Sequence, residues 1–301
     1  MLALSVSMHE SIQSNLIKNL SSKRRPRILY HYTSGSGLIG ILKAKSIWAT
    51  SIRFLNDSTE YSLALKLAQE VIQNRMAEAR NKFDRGLYSV LNERLAGEEV
   101  HGEVYVSSFT ENGDQLSQWR AYSPSTGGFA IGFRSKSLID LTGVNPDRFL
   151  ARCTYDASSQ EALIRSLVQT IAKFAEESNA HNQMNHDRVF RESFKLLGRL
   201  LPLIAPALKD SSFAEEQEWR LVRLPSSFED VDLQFREGKS MLIPYHLHRF
   251  PGSGECVPLD ELVVGPTPHP ELARNSAQAL LMTYGLPSAI VRSSSIPYRT
   301  W

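Results

Sequence analysis

The chain is 301 residues long, 42% hydrophobic and 22% charged, a globular composition with enough apolar surface for one large core or two small ones. Its 34 basic and 32 acidic residues leave a formal charge of +2, which demands neither nucleic acid nor an anionic membrane as partner. No apolar run approaches the roughly 20 residues of a membrane span, the start lacks a signal-peptide pattern, and two cysteines (Cys153 and Cys256) make no disulfide framework. The expectation is a soluble, cytoplasmic protein with buried, reduced thiols.

Residues 1–27 read as a basic arm, with Lys18, Lys23, Arg24, Arg25 and Arg27 clustered around Pro26. A first strand, Arg27–Tyr32, carries a polar His31 inside an apolar and aromatic run, followed by Thr33. Ser36–Lys43 has a helical apolar face in Leu38, Ile39, Ile41 and Leu42, and Ser46–Thr50 is a short strand. After a loop at Arg53–Asp57 comes a long helix. Asp57 and Glu60 form a capping box, and Leu63, Ala64, Leu67, Ala68, Val71, Ile72 and Met76 form its stripe. Arg85–Leu95 reads as a further helix. Strands are expected at Val104–Phe109, Gly128–Phe133 and Phe149–Tyr155.

Ser158–Ser178 and Arg188–Leu208 are amphipathic and read as a helical insertion at 158–208 within one domain at 28–301. The sheet resumes at Trp219–Leu224 and Ser240–Tyr245. Leu262–Gly265 and Ala289–Val291 flank a last helix at Pro270–Tyr284, which Pro270 opens and Gly285 stops. The fold class is α+β: a mixed, largely antiparallel sheet core with surrounding helices.

No metal site is expected. Cys-x-x-Cys and His-Glu-x-x-His are absent, and His246 and His248, two residues apart on a strand, read as surface histidines. Gly35-Ser36-Gly37 lacks the Walker lysine and glycine spacing of a phosphate loop. What remains is a set of polar and aromatic groups at strand ends: His31, Ser108 after Ser107, Trp119 and Tyr122 at helical spacing, and Glu216 and Glu218 before an apolar strand. In a strand those two carboxylates share a face.

Tyr30-His31-Tyr32-Thr33 followed by Gly37-Leu38-Ile39-Gly40-Ile41-Leu42 resembles the His-x-Thr strand and following helix of the ADP-ribosyltransferase superfamily. Phe54-Leu55-Asn56-Asp57, Ser107-Ser108-Phe109-Thr110, Gln118-Trp119-Arg120-Ala121-Tyr122, Gly128–Phe133, Glu216-Gln217-Glu218-Trp219-Arg220, Val263-Val264-Gly265-Pro266 and Ser295-Ile296-Pro297-Tyr298 are similar, in order, to the bacterial family known as domain of unknown function 2971. The segment Thr110–Tyr122 departs from the superfamily's middle-strand tyrosine motif, and the 158–208 helices have no counterpart in its minimal core.

The resemblance implies a transferase-like sheet core and, as function, transfer of ADP-ribose from NAD, without metal, to a protein or nucleic-acid acceptor. It also suggests a toxin or defence effector with an inhibitor or antitoxin as partner. His31 would orient NAD and Glu218 would stabilise cationic charge on the nicotinamide ribose, with Glu216 acting on the acceptor. Trp119 or Tyr122 would stack on nicotinamide. Arg53 or Arg220 would meet the pyrophosphate, and Tyr32, Thr33 and Ser108 would complete the NAD-binding cleft. NAD hydrolysis and a non-catalytic nucleic-acid or partner-binding module are the alternatives. The central expectation is that His31 and Glu218 face one cleft.

Overall fold

A computed structural model describes residues 2–21, 24–55, 60–97, 103–123, 127–143, 147–182, 185–224, 232–250 and 257–298. The elements in chain order are α1 (Leu2–Ser21), β1 (Ile28–Thr33), α2 (Gly35–Ala44), β2 (Ser46–Ser51), α3 (Glu60–Glu78), α4 (Lys82–Gly97), β3 (Tyr105–Thr110), α5 (Leu116–Tyr122), β4 (Phe129–Arg134), α6 (Ser135–Asp140) and β5 (Arg148–Arg152). Then follow α7 (Ala157–Asn182), α8 (His186–Ile204), β6 (Glu218–Arg223), β7 (Gln234–Glu237), β8 (Leu242–Arg249), β9 (Leu259–Val264), α9 (Pro270–Thr283) and β10 (Ile290–Ser293). The class is the expected α+β. No helix among the described residues is long and apolar enough to cross a membrane. The proposed cap at Asp57 and the thiol of Cys256 lie outside the described residues.

The chain divides into two compact units, residues 1–22, 51–104 and 153–213, and residues 23–50, 105–152 and 214–301. The first is helical. Here α3 packs on α4 and α7, α7 on α8, and α1 on α8. Ala64, Ala68, Val71 and Ile72 are the buried centre of the α3 stripe, with Leu63, Leu67 and Met76 partly buried on its flanks. The α7 and α8 helices are the pair expected from the sequence at 158–208.

The second unit holds the sheet. Its strand order is β10-β9-β4-β1-β3-β2-β8-β7, with β6 paired to both β3 and β5. The described ladders are antiparallel except β9–β10. The sequence reading missed β7, whose four residues Gln234-Phe235-Arg236-Glu237 alternate in exposure at the sheet edge and carry little apolar signal.

Register decides which side chains meet. Tyr30 pairs with Thr110, and Thr110 with Glu218. Opposed residues in a ladder point to one face, and neighbours along a strand point to opposite faces. One face therefore carries Glu261, Gly132, Tyr30, Thr110 and Glu218 in a row. The other carries Leu29, His31, Phe109, Ile131, Trp219 and Leu262. Most of this second set belongs to the main core, together with Leu38, Ile41 and Leu42 of α2 and Leu281 of α9. Fully burying each such Leu, Ile or Phe contributes about 1.5–3 kcal/mol. The first face has a smaller core of Tyr32, Trp119, Ala130 and Val263.

Between β1 and α2 stands Ser34, whose hydroxyl accepts from the Gly37 amide at 3.1 Å. The helix closes at Lys45, in the left-handed region at φ 47°. Ser34→Ala should cost about 1 kcal/mol in chemical denaturation. An unchanged midpoint would mean the cap holds nothing.

Candidate functional site

A cleft in the sheet unit lies where β1 ends, β4 begins and β9 ends. Its volume is 340 Å³, and Ser34, Gly35, Ser36, Gly128, Gly265 and Thr267 supply much of its lining, with Phe129 and Val264 beneath. The first turn of an α-helix has amides without partners inside the helix, at the positive end of its dipole. Ser34 satisfies the amides of Gly37, through its hydroxyl, and Leu38, through its carbonyl. Those of Gly35 and Ser36 belong to residues lining the cleft.

Glycine shapes the opposite wall. The Gly265 amide donates to the Gly128 carbonyl at 2.9 Å. A Cβ on Gly128 would stand 2.2 Å from Ser123 Oγ, and one on Gly265 would stand 2.9 Å from Trp119 Cζ3. Only glycine permits that approach. The result is a neutral, hydroxyl- and amide-lined hollow, suited to an anionic oxygen-rich group such as a phosphate.

His31 and Thr33 alternate onto the same face of β1 as the register partners of Phe129 and Val264. The His31 Nδ1 lies 2.9 Å from the Ser108 carbonyl, and its ring packs on Phe109. A carbonyl only accepts, so Nδ1 donates. Burial pushes the imidazole below its ordinary pKa, and the Ser108 carbonyl partly offsets this. The neutral ring therefore keeps Nε2 as an acceptor.

Glu218 is elsewhere. The expectation that His31 and Glu218 share a cleft is corrected: the Tyr30–Thr110–Glu218 register turns them to opposite faces of the sheet. The expectation that Glu216 and Glu218 alternate along a strand is also corrected. Glu216 ends a 3₁₀ turn, Ser211–Glu216, and Gln217 at φ 44° breaks the extended path before β6. Glu218 is 4% exposed and Arg220 is 1% exposed. Arg220 Nε and Nη2 reach the two Glu218 carboxylate oxygens at 2.8 and 2.9 Å, a bidentate pair. Arg220 is thus committed to Glu218, not held ready for a pyrophosphate.

The remaining expected residues scatter. Tyr32 lies under Trp119 on the Glu218 face, donating its hydroxyl to Asn112 O and accepting from the Gln115 amide, each at 3.0 Å. Trp119 is 1% exposed and Tyr122 38%, so the two do not share one environment. Ser108 meets His31 through its carbonyl. Arg53 belongs to the helical unit, on the turn Ile52–Phe54. His246 and His248, expected at the surface, are each 1% exposed. No metal-binding group of three or more ligands occurs among the described residues.

Asp114, not singled out from the sequence, ties Trp119 to the segment that follows β10. Its carboxylate accepts from Trp119 Nε1 at 2.8 Å, Ser294 Oγ at 2.5 Å, and the Ser295 amide and hydroxyl at 2.8 and 3.0 Å. Burial alone would raise its pKa. The bonds from Ser294, Ser295 and Trp119 outweigh it and hold the carboxyl below the ordinary range.

No curated protein and no solved structure matches this chain. Over residues 118–221, from Gln118 of α5 through Leu221 of β6, the chain is similar to the family described as protein of unknown function (DUF2971), whose model matches that stretch.

Proposed function

We propose that the chain binds a phosphate-bearing ligand of the nucleotide class in the cleft at the end of β1, and that NAD, taken as a substrate, is the ligand. The observation that carries this reading is the cleft itself, with the first turn of α2 on one side and the Gly128–Gly265 pair on the other. Its 340 Å³ falls at the small end of ligand pockets, matching part of a dinucleotide. Hydroxyls of Ser34, Ser36 and Thr267 suit phosphate oxygens, while Phe129 and Val264 suit an apolar ring edge.

One observation favours ADP-ribosyl transfer to a protein or nucleic acid as the reaction. His31 is neutral, its Nδ1 is oriented by Ser108, and it lies on the cleft-side face of β1. That leaves Nε2 to accept a ribose hydroxyl. The carboxylate of such a reaction is not Glu218, which Arg220 holds. Glu216, partly exposed at its 3₁₀ turn, is the candidate that remains of the expected pair. Breaking the bond to nicotinamide develops positive charge on the ribose, and a carboxylate there stabilises it.

Incubation with NAD labelled in its ADP-ribose, with cell lysate as acceptor, separates the readings. Transfer yields nicotinamide and label in the protein or nucleic-acid fraction. Free labelled ADP-ribose means hydrolysis, and NAD binding without nicotinamide release means a non-catalytic binder. Failure to bind NAD or ADP at millimolar concentration rejects the proposal.

A further inference from the structure

Behind the cleft wall runs a continuous set of contacts that the ligand reading does not use. Ser294 follows β10 and donates its amide to the Val264 carbonyl at 2.7 Å. Val264 and Gly265 line the cleft. Trp119 presses on Gly265 from the other side, close enough that a Cβ there would stand 2.9 Å from its ring. Asp114 holds both ends of this arrangement. One carboxylate oxygen takes the Trp119 indole and the Ser294 hydroxyl, and the other takes Ser295. The segment continues with Ile296 packed on the Tyr32–Trp119 core and with the Tyr298 ring beneath the Arg120 guanidinium at 5.2 Å.

We propose that Asp114 is a positioning residue for the cleft. By clamping Trp119 and the segment Ser294–Tyr298 together, it sets the Val264–Gly265 wall, so that docking of this segment controls ligand affinity. A carboxylate with four close donors has one arrangement that satisfies them all, and moving either Trp119 or Ser295 leaves a donor unmatched. The Gly265 amide bond to Gly128 is the point where the effect reaches the cleft. The inference rests on the ligand reading for its consequence and on geometry alone for its cause, and the experiment separates the two.

The test compares wild type with Asp114→Asn, with Ser294→Ala/Ser295→Ala, and with Ser294→Thr/Ser295→Thr, which keeps both hydroxyls. Two quantities are measured: hydrogen exchange of the Gly265 amide against that of Leu221 in β6, and affinity for ADP. The alanine pair should speed Gly265 exchange and weaken ADP binding by roughly tenfold each, an ordinary size for coupling between sites. Leu221 should be unaffected, and the threonine pair should restore both values. Asp114→Asn should behave as the alanine pair does.

If wild type binds no ADP, the ligand reading fails, and selective Gly265 exchange still supports the clamp. Unchanged Gly265 exchange overturns the proposal whatever the ligand does. Equal acceleration at Gly265 and Leu221 overturns it too, since that marks general destabilisation.

Discussion

Glu218→Ala should destabilise the protein by about 3–5 kcal/mol, because it strips the bidentate carboxylate from a buried guanidinium. Arg220 is 1% exposed on β6, so the loss falls on a charge held away from bulk water. Glu218→Gln keeps the shape and one acceptor but removes the charge, so its cost should be smaller but still measurable. The pattern separates two roles. If Glu218 stabilises a cationic ribose, Glu218→Gln lowers turnover at unchanged stability. If it orders β6, stability falls and any loss of turnover follows the folded fraction. Denaturant midpoints beside nicotinamide release decide, and a Glu218→Ala variant as stable as wild type contradicts the structural role.

The second large effect lies on β8. Burial first, then the neighbouring Arg148, Arg223 and His246, lowers the His248 pKa to about 3. Both His248 ring nitrogens are buried without a hydrogen bond that meets ordinary geometry, and the His246 ring stands edge-on to Tyr105 at 4.3 Å. In the unfolded chain this imidazole titrates near its ordinary value of 6.5. As pH falls below that point the unfolded state takes up the proton and the folded state does not. The neutral His248 contribution is therefore whole above pH 6.5 and is lost toward pH 3, by about 1.4 kcal/mol per pH unit. His248→Phe should flatten that slope, so that between about pH 6 and pH 4 wild type loses roughly 2–3 kcal/mol more than the variant. Parallel stability curves would show that His248 does not titrate as its surroundings dictate.

What the sequence revealed follows from how local each signal is. The first strand, the helix after Ser34, the α3 stripe and the helix between Pro270 and Gly285 were legible, because capping and periodicity act within a few residues. Glu218 was legible as unusual but not in its role. Its partner is two residues away, yet only the sheet shows that both are buried. The facing of His31 and Glu218 depends on Tyr30 pairing with Thr110 across 80 residues, and a shift of one position would have reversed it. The cleft was illegible for a related reason. Ser36 read as the start of a helix and Gly128 and Gly265 as the ends of two strands, and only the meeting of three strand ends makes them, with Thr267, one surface. His246 and His248 read as a polar alternation. Their burial comes from the packing around β8, which no local pattern records.

The most direct measurement is amide chemical-shift mapping with ADP beside adenosine. A ligand held by its phosphates at the first turn of α2 should move the amides of Gly35, Ser36, Gly128 and Gly265 on addition of ADP. Adenosine, lacking the phosphates, should move them far less at equal concentration. Shifts confined to other regions, or equal shifts with both ligands, would contradict phosphate recognition in this cleft.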